Sequence, residues 1–311
     1  MADWRSAPFA AHFVGVESSM EDADTLLPFR LSGATQQGRE HQLINQNNQD
    51  AATLYIGKQY LFGIVCDGCT GTSGTLINEV SNNEVGAKLT CVILSDILRS
   101  RMAHFGKDRT FLDDVMRRYI RRFQALCTIM GEHERGSTFV HDFLMNTVIG
   151  FVVNETRYVV FHYGDGFWSL NGRVQELRDS GSYVGSYLLR HNEGAVPRSE
   201  YTFPRFRVLS EGDTSSIESL LIATDGMLPI IETAQPFFEG LNDDLQFRSN
   251  PSRVPYLLPA FRKTVLEPTK SLLSDCPQDD ASFVILTRIT SLVGTGEAAD
   301  KSEEFYGIAH K

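Results

Sequence analysis

Five aspartates in this chain each sit against a short apolar run, and that placement constrains the fold more than any other feature of the sequence. Asp67-Gly68 closes Leu61-Phe62-Gly63-Ile64-Val65-Cys66, and Asp225-Gly226 closes Leu220-Leu221-Ile222-Ala223-Thr224. Asp165 lies in Gly164-Asp165-Gly166, directly after Val159-Val160-Phe161-His162-Tyr163. Asp279-Asp280 runs into Ser282-Phe283-Val284-Ile285-Leu286, and Asp50 into Ala51-Ala52-Thr53-Leu54-Tyr55. Short apolar runs with such boundaries are strand signals. A strand end puts its residue at the rim of a sheet, where gathered carboxylates repel one another unless cations neutralise them. An all-oxygen ligand set selects hard ions such as Mg²⁺ or Mn²⁺ over zinc. Glycine after an aspartate lets the backbone turn sharply and lets a carbonyl approach an ion. Taken singly, each Asp-Gly pair is also an ordinary turn signal.

The rest of the pattern is of mixed type. Leu54–Ile56 and Tyr60–Val65 read as a hairpin turning at Gly57-Lys58-Gln59. Residues 77–102 read as a helix. Residues 111–130 read as a stronger one, with Phe111, Val115, Met116, Tyr119, Phe123, Leu126 and Met130 among positions at three- and four-residue steps. Strands follow over Asn146–Val153, Arg157–Tyr163, Phe167–Leu170 and Val174–Leu177, the last two joined by the tight-turn pair Asn171-Gly172. Leu220–Thr224 and Ser282–Ile289 are further strands, and 231–273 is mixed and partly helical, broken by Pro251, Pro255 and Pro259. Hairpins beside two long helices predict an α+β layered domain and not alternating βαβ units. The expected organisation is an N-terminal extension over 1–28, one domain over 29–291, and a small-residue, charged tail over 292–311.

Composition narrows the function. With 29 Lys and Arg against 39 Asp and Glu, the formal charge of −10 argues against gripping nucleic acid by bulk electrostatics. No apolar run approaches the ~18 residues of a membrane span, and the N-terminus lacks the cationic start and apolar stretch of a secretory signal. Five cysteines in a long chain read as reduced thiols, so the expected location is the cytoplasm, with neither nucleic acid nor membrane as partner. Arg117, Arg118, Arg121 and Arg122 form a basic stripe, read either as a solvated helix face or as docking for an acidic partner.

In order, Gln49-Asp50-Ala51, Val65-Cys66-Asp67-Gly68-Cys69-Thr70-Gly71, Asn83-Glu84-Val85-Gly86-Ala87, Gly164-Asp165-Gly166, Ala223-Thr224-Asp225-Gly226-Met227 and Asp279-Asp280-Ala281-Ser282 resemble the motifs of the metal-dependent protein phosphatases of the PP2C type, from about Ser32 to Ile289. The resemblance implies a four-layer α-β-β-α sandwich, two antiparallel sheets flanked by helices. It implies a Mg²⁺ or Mn²⁺ pair at one end of the sandwich and hydrolysis of phosphoserine or phosphothreonine on a phosphoprotein substrate. Carried over by position, Asp67 would bridge both ions, with the Gly68 carbonyl as a further ligand. Asp225 and Asp279 would hold one ion, Asp50 would act mainly through water, and Asp165 would fit the position that serves a third ion. Two such ions roughly 4 Å apart lower the pKa of a shared water and offset phosphoryl charge.

Several positions depart from the pattern common in that family. Gln49 stands where many members carry glutamate, Asn45 where many carry a phosphate-gripping arginine, and Cys69 where better-known members carry a histidine. Gly38-Arg39-Glu40-His41 followed by Gln49-Asp50-Ala51 resembles a bacterial branch with a histidine upstream and Gln-Asp at the site. His41 or Arg39 is then the candidate for a phosphate contact or a proton. These departures also leave open a catalytically weakened regulatory or binding module on the same fold. Cys66-Asp67-Gly68-Cys69 spells a CxxC, read as a redox pair or as one buried thiol beside one lining the site. The segment 178–205, with Tyr183, Tyr187, His191, Pro197 and Arg198, has loop-like composition and is expected to overhang the site.

Overall fold

A computed structural model describes residues 27–43, 46–69, 82–129, 139–178, 183–192, 203–228 and 279–289. Its strands are β1 (Phe29–Gln36), β2 (Ala51–Ile56), β3 (Tyr60–Cys66), β4 (Val148–Asn154), β5 (Arg157–Tyr163), β6 (Gly166–Leu170), β7 (Arg173–Leu177), β8 (Arg207–Asp213), β9 (Ser219–Ala223) and β10 (Ala281–Arg288). The helices are α1 (Arg39–Leu43), α2 (Glu84–Arg101), α3 (Phe111–Ile129) and α4 (Val184–Asn192). The strands form two five-stranded sheets, ordered β1-β10-β9-β6-β7 and β2-β3-β4-β5-β8. Every pairing between them is antiparallel. The α+β sandwich expected from the sequence is therefore the fold observed.

Two apolar layers hold it together. Successive side chains on a strand point to opposite faces. On β3, Leu61 and Val65 join Leu31, Leu54, Phe151, Trp168, Ile222 and Val284 between the sheets. Phe62, Ile64 and Cys66 point the other way and pack with Leu94 and Leu98 of α2 and Val115, Tyr119 and Phe123 of α3. Both faces of β3 are thus buried, which explains why its sequence is apolar throughout and does not alternate. Close packing fixes one glycine there: a Cβ on Gly63 would come within 2.6 Å of the Val284 side chain and 2.9 Å of the Phe151 ring. The α2–α3 layer also carries a buried polar tie, Thr90 Oγ1 to the Tyr119 hydroxyl at 2.8 Å.

The departures from expectation have physical causes. The helix expected over 77–102 begins at Glu84 in the described residues, and 77–81 lie outside them. Strand β8 was not foreseen because it is an edge strand and largely exposed, so it shows no apolar period. Strand β1 was missed too, with its weak FRLSGATQ pattern, and α1 is only five residues long. The segment read as loop contains α4, whose Val184 and Leu188 are buried one turn apart. The Asn171-Gly172 hairpin forms as expected, with positive φ at both residues. The stretch 231–273, the N-terminal 26 residues and the tail from 290 lie outside the described residues.

Truncating Phe151, buried between the sheets, removes a ring from the layer that joins them. We expect Phe151→Ala to lower the unfolding free energy by about 3–5 kcal/mol, read by urea denaturation. A loss below about 1 kcal/mol would mean that the two sheets do not share this core.

Candidate metal centre and active site

Strand pairing within each sheet, with the short β5–β6 connection from one sheet to the other, collects the aspartates at one end of the sandwich. Asp50 directly precedes β2 and Asp67 directly follows β3, and Ala51 pairs with Cys66, so the two acids face one another across one strand pair. In the other sheet Ala223 pairs with both Phe283 and Phe167. Asp225 lies two residues beyond Ala223, Asp165 two residues before Phe167, and Asp279 two residues before β10. All five therefore end at the same rim.

Their electrostatics follow from that convergence. Burial first, then the charges of Asp50, Asp225, Asp279 and Asp165, push the Asp67 carboxyl well above the usual range. Burial also raises Asp50; Asp280, Asp225 and Asp279 add to it, against a hydrogen bond from Thr224 that lowers it. Asp225 is raised by burial and by Asp279 and Asp165, opposed by its hydrogen bond with Asp67. Asp279 is raised by burial, opposed by the Asp280 N–H and by His41.

The supporting contacts are specific. Thr224 Oγ1 donates to Asp50 Oδ2 at 2.7 Å and accepts from the Ser282 N–H at 2.9 Å, tying β9 and β10 to the start of β2. The other oxygen, Asp50 Oδ1, is buried with no hydrogen-bond partner among the described residues. The Thr147 N–H donates to the Asp67 carbonyl at 2.8 Å and the Cys69 N–H to the Met145 carbonyl at 3.0 Å, around the bridge of Gly68 with Asn146. In that antiparallel pattern the carbonyl of Gly68 itself points away from Asn146. A Cβ on Gly68 would lie 2.7 Å from the Asn83 backbone, and one on Gly226 only 1.9 Å from the Asp280 carbonyl oxygen. These two glycines are needed for close approach of another backbone, not for a positive φ. Positive φ instead occurs on either side of Asp165, at Gly164 and Gly166.

Asp280, adjacent to the expected Asp279, proves to be a buried brace. Its Oδ1 accepts the Gly38 N–H at 2.6 Å, and its Oδ2 accepts the Gln49 N–H. His41 is buried, with Nδ1 2.8 Å from Asp280 Oδ2 and 3.9 Å from Asp279 Oδ1. The Asp280 contact outweighs the desolvation of the ring and raises the His41 pKa, with the charges of Asp280, Asp279 and Glu40 adding. Arg39, two residues earlier on α1, is exposed. Asn45 lies outside the described residues.

Sequence reasoning did not single out Asp280, Thr224 or Asn83 as supports. Asn83 Nδ2 donates to the Cys69 carbonyl at 2.6 Å while its Oδ1 accepts the Met145 N–H, clamping the turn after Asp67. The one legible signal was the Asp279-Asp280 doublet, since two adjacent acids at a strand start cannot both face the same ions.

The cysteines separate. Cys66 faces α2, its Sγ 3.6 Å from that of Cys91. Cys69 takes a long contact from Asn83 Nδ2 at 3.8 Å and a hydrogen bond with Tyr183. Burial, with Asp67 adding, pushes the Cys69 thiol up to about 12, so it stays protonated at neutral pH. Tyr183 brings one residue of the 178–205 segment to the site, where it senses Asp165 and Asp67. Pro197 and Arg198 lie outside the described residues.

The donor chemistry fits hard divalent cations: several carboxylates face one another, and one buried oxygen lacks a partner. Among the described residues, one atom each of His41, Asp279 and Asp280 also lie within 4.8 Å of one another, a spacing compatible with an ion. Both Asp280 oxygens, however, already accept backbone N–H groups.

Residues 37–261 match the sequence profile of a family described as Protein phosphatase 2C. No curated protein matches the chain. Among solved structures, the Staphylococcus aureus serine/threonine phosphatase Stp1 is 15% identical with a TM-score of 0.45, covering 83% of this chain and 94% of its own. The S. agalactiae serine/threonine phosphatase is 12% identical with a TM-score of 0.48, covering 84% and 99%. The catalytic domain of the serine/threonine protein phosphatase PstP in complex with two manganese ions is 16% identical with a TM-score of 0.41, covering 84% and 99%.

The raised carboxyls predict how the metal-free protein responds to pH. Above the ordinary carboxylate pKa the folded state holds protons that the unfolded chain has released, so stability falls as pH rises toward the raised values. With a chelator present, the melting temperature should therefore decline from the carboxylate range toward neutrality. Asp50→Asn should flatten that decline and melt above the wild type at neutral pH. Parallel curves for the two proteins would show that Asp50 carries no such burden.

Proposed function

The chain belongs to the protein phosphatase 2C family, and on that premise we propose that it hydrolyses phosphoserine or phosphothreonine on proteins with the help of Mg²⁺ or Mn²⁺. The observation that supports this most directly is the group of converging, partly buried carboxyls around Asp67, with Asp50 Oδ1 left without a partner. Asp67, the Gly68 carbonyl, Asp225 and Asp279 would hold two ions, with Asp50 acting through water and Asp165 serving a third. Ions bound there lower the pKa of water and offset charge on phosphoryl oxygens.

The remaining work falls to the chain's own groups. Thr224 fixes the Asp50 carboxylate through one oxygen, leaving the other directed inward. Asp280, by holding the Gln49 and Gly38 N–H groups, sets where Asp50 stands relative to Asp279. His41 sits on Asp280 as candidate proton donor or phosphate contact, and Arg39, exposed on the same short helix, is the candidate cation for substrate phosphate. Cys69 keeps its proton near neutral pH, which makes it a poor acid for a serine leaving group. Aryl phosphates need little protonation and should suffer less. That thiol is also what favours the second reading, a weakened regulatory module: such a module would bind partners without turnover.

Purified protein with Mn²⁺ should hydrolyse p-nitrophenyl phosphate and, more slowly, a phosphothreonine peptide. Asp67→Asn should lower turnover by at least about 100-fold, the scale of losing one electrostatic stabiliser. Mn²⁺ should raise the melting temperature of the wild type and not of this variant. Turnover with neither substrate, alongside an intact Mn²⁺ shift, would favour the module. An undiminished shift in Asp67→Asn would remove Asp67 as a ligand.

A further inference from the structure

The charge of this chain is unevenly spread. Eight of its 29 Lys and Arg fall between Arg99 and Arg122, against three acids, so this stretch carries +5 while the rest of the chain carries −15. The stretch spans the end of α2, the turn and the first two thirds of α3. Helix α2 begins beside the aspartate rim, where Asn83 clamps Cys69, and its 18 residues carry the chain about 27 Å away. The cationic turn therefore lies at the opposite end from the candidate metal centre, and these groups do not serve phosphate there.

Part of the positive charge is internally neutralised. Arg101 and Arg118 share Asp114, at 2.8 and 2.9 Å, and Arg122 pairs with Asp96 across to α2. Arg99 lies over the Tyr55 ring, 5.3 Å from its centroid. That leaves Lys107, Arg109, Arg117 and Arg121, all exposed, with Arg117 near Asp114 but none of the four in an ion pair within 4 Å among the described residues. Arg117 and Arg121 stand one turn apart on a ridge of α3 that continues through Ala125 to Ile129. All four ridge residues are exposed, and Ile129 is 80% accessible, the most exposed large apolar side chain among the described residues. One turn before Arg117 the same row begins with Asp113, which faces Arg205 at 3.8 Å; from Arg117 onward the ridge is cationic first and apolar at its far end.

We propose that this ridge of α3 docks an acidic polypeptide segment of a partner protein, with Asp or Glu side chains on Arg117 and Arg121 and an apolar side chain beside Ile129. Charge complementarity selects the occupant. A single helix ridge matches the width of one polypeptide strand. The −15 carried by the rest of the chain opposes close approach of a large polyanion or an anionic bilayer. Binding here is separate from hydrolysis and stands whether or not the chain is a phosphatase.

The test uses the full chain and a fluorescein-labelled, unphosphorylated peptide rich in Asp and Glu with one leucine, followed by anisotropy. The wild type should bind at low ionic strength and release the peptide as salt shortens the Debye length below about 10 Å. Arg117→Glu/Arg121→Glu should weaken binding by at least about tenfold, and Ile129→Ser by a smaller factor, with melting curves unchanged. Should the charge-reversed variant fail to fold, the milder Arg117→Gln/Arg121→Gln serves in its place and should also weaken binding. No anisotropy change with the wild type, equal affinity in the folded charge-reversed variant, or cosedimentation with phosphatidylserine vesicles in place of peptide binding would each overturn the proposal.

Discussion

Holding like charges partly out of water at one rim is the constraint on which the rest of this molecule depends. Asp50, Asp67, Asp225 and Asp279 all have raised carboxyl pKa values because burial and their neighbours disfavour the ionised form. Hydrogen bonds within the rim, from Thr224 to Asp50 and from the Asp280 N–H to Asp279, offset only part of that cost. The rest is met by the two apolar layers behind it, one between the sheets and one under α2 and α3. A site of this kind needs a scaffold that stays folded while its functional end is unfavourable.

Much of this was legible in the chain because strands with both faces buried write continuous apolar runs. β3, β4, β5, β9 and β10 were all visible that way, and the acids at their ends gave the rim. Helix α3 was legible because its apolar period is regular. The edge strand β8 was not, since exposure erases the pattern, and α4 hid in a stretch whose composition reads as loop.

The site was legible only as a set of acids. What orders it was not. Asp280, Thr224 and Asn83 act through bonds to backbone groups far away in sequence, such as Gly38, Ser282 and Met145. Such contacts leave no local periodicity, so only the folded arrangement reveals them. The glycines were expected to matter for turning and for letting a carbonyl approach an ion; at Gly68 and Gly226 another segment's backbone also occupies the space a side chain would need.

Strand β10 lies between β1 and β9, pairing with both along its length. Among the described residues β1 is the first strand in the chain and β10 the last. During synthesis β1 has no partner linking it to β9 until β10 leaves the ribosome, and Asp279 and Asp280 emerge just ahead of it. A nascent chain holding Asp50 and Asp67 alone has only part of the acidic rim and an open sheet edge, so closure must wait on contacts between distant parts of the polypeptide. The same chain order that keeps the rim together makes it one of the last parts of the fold to assemble.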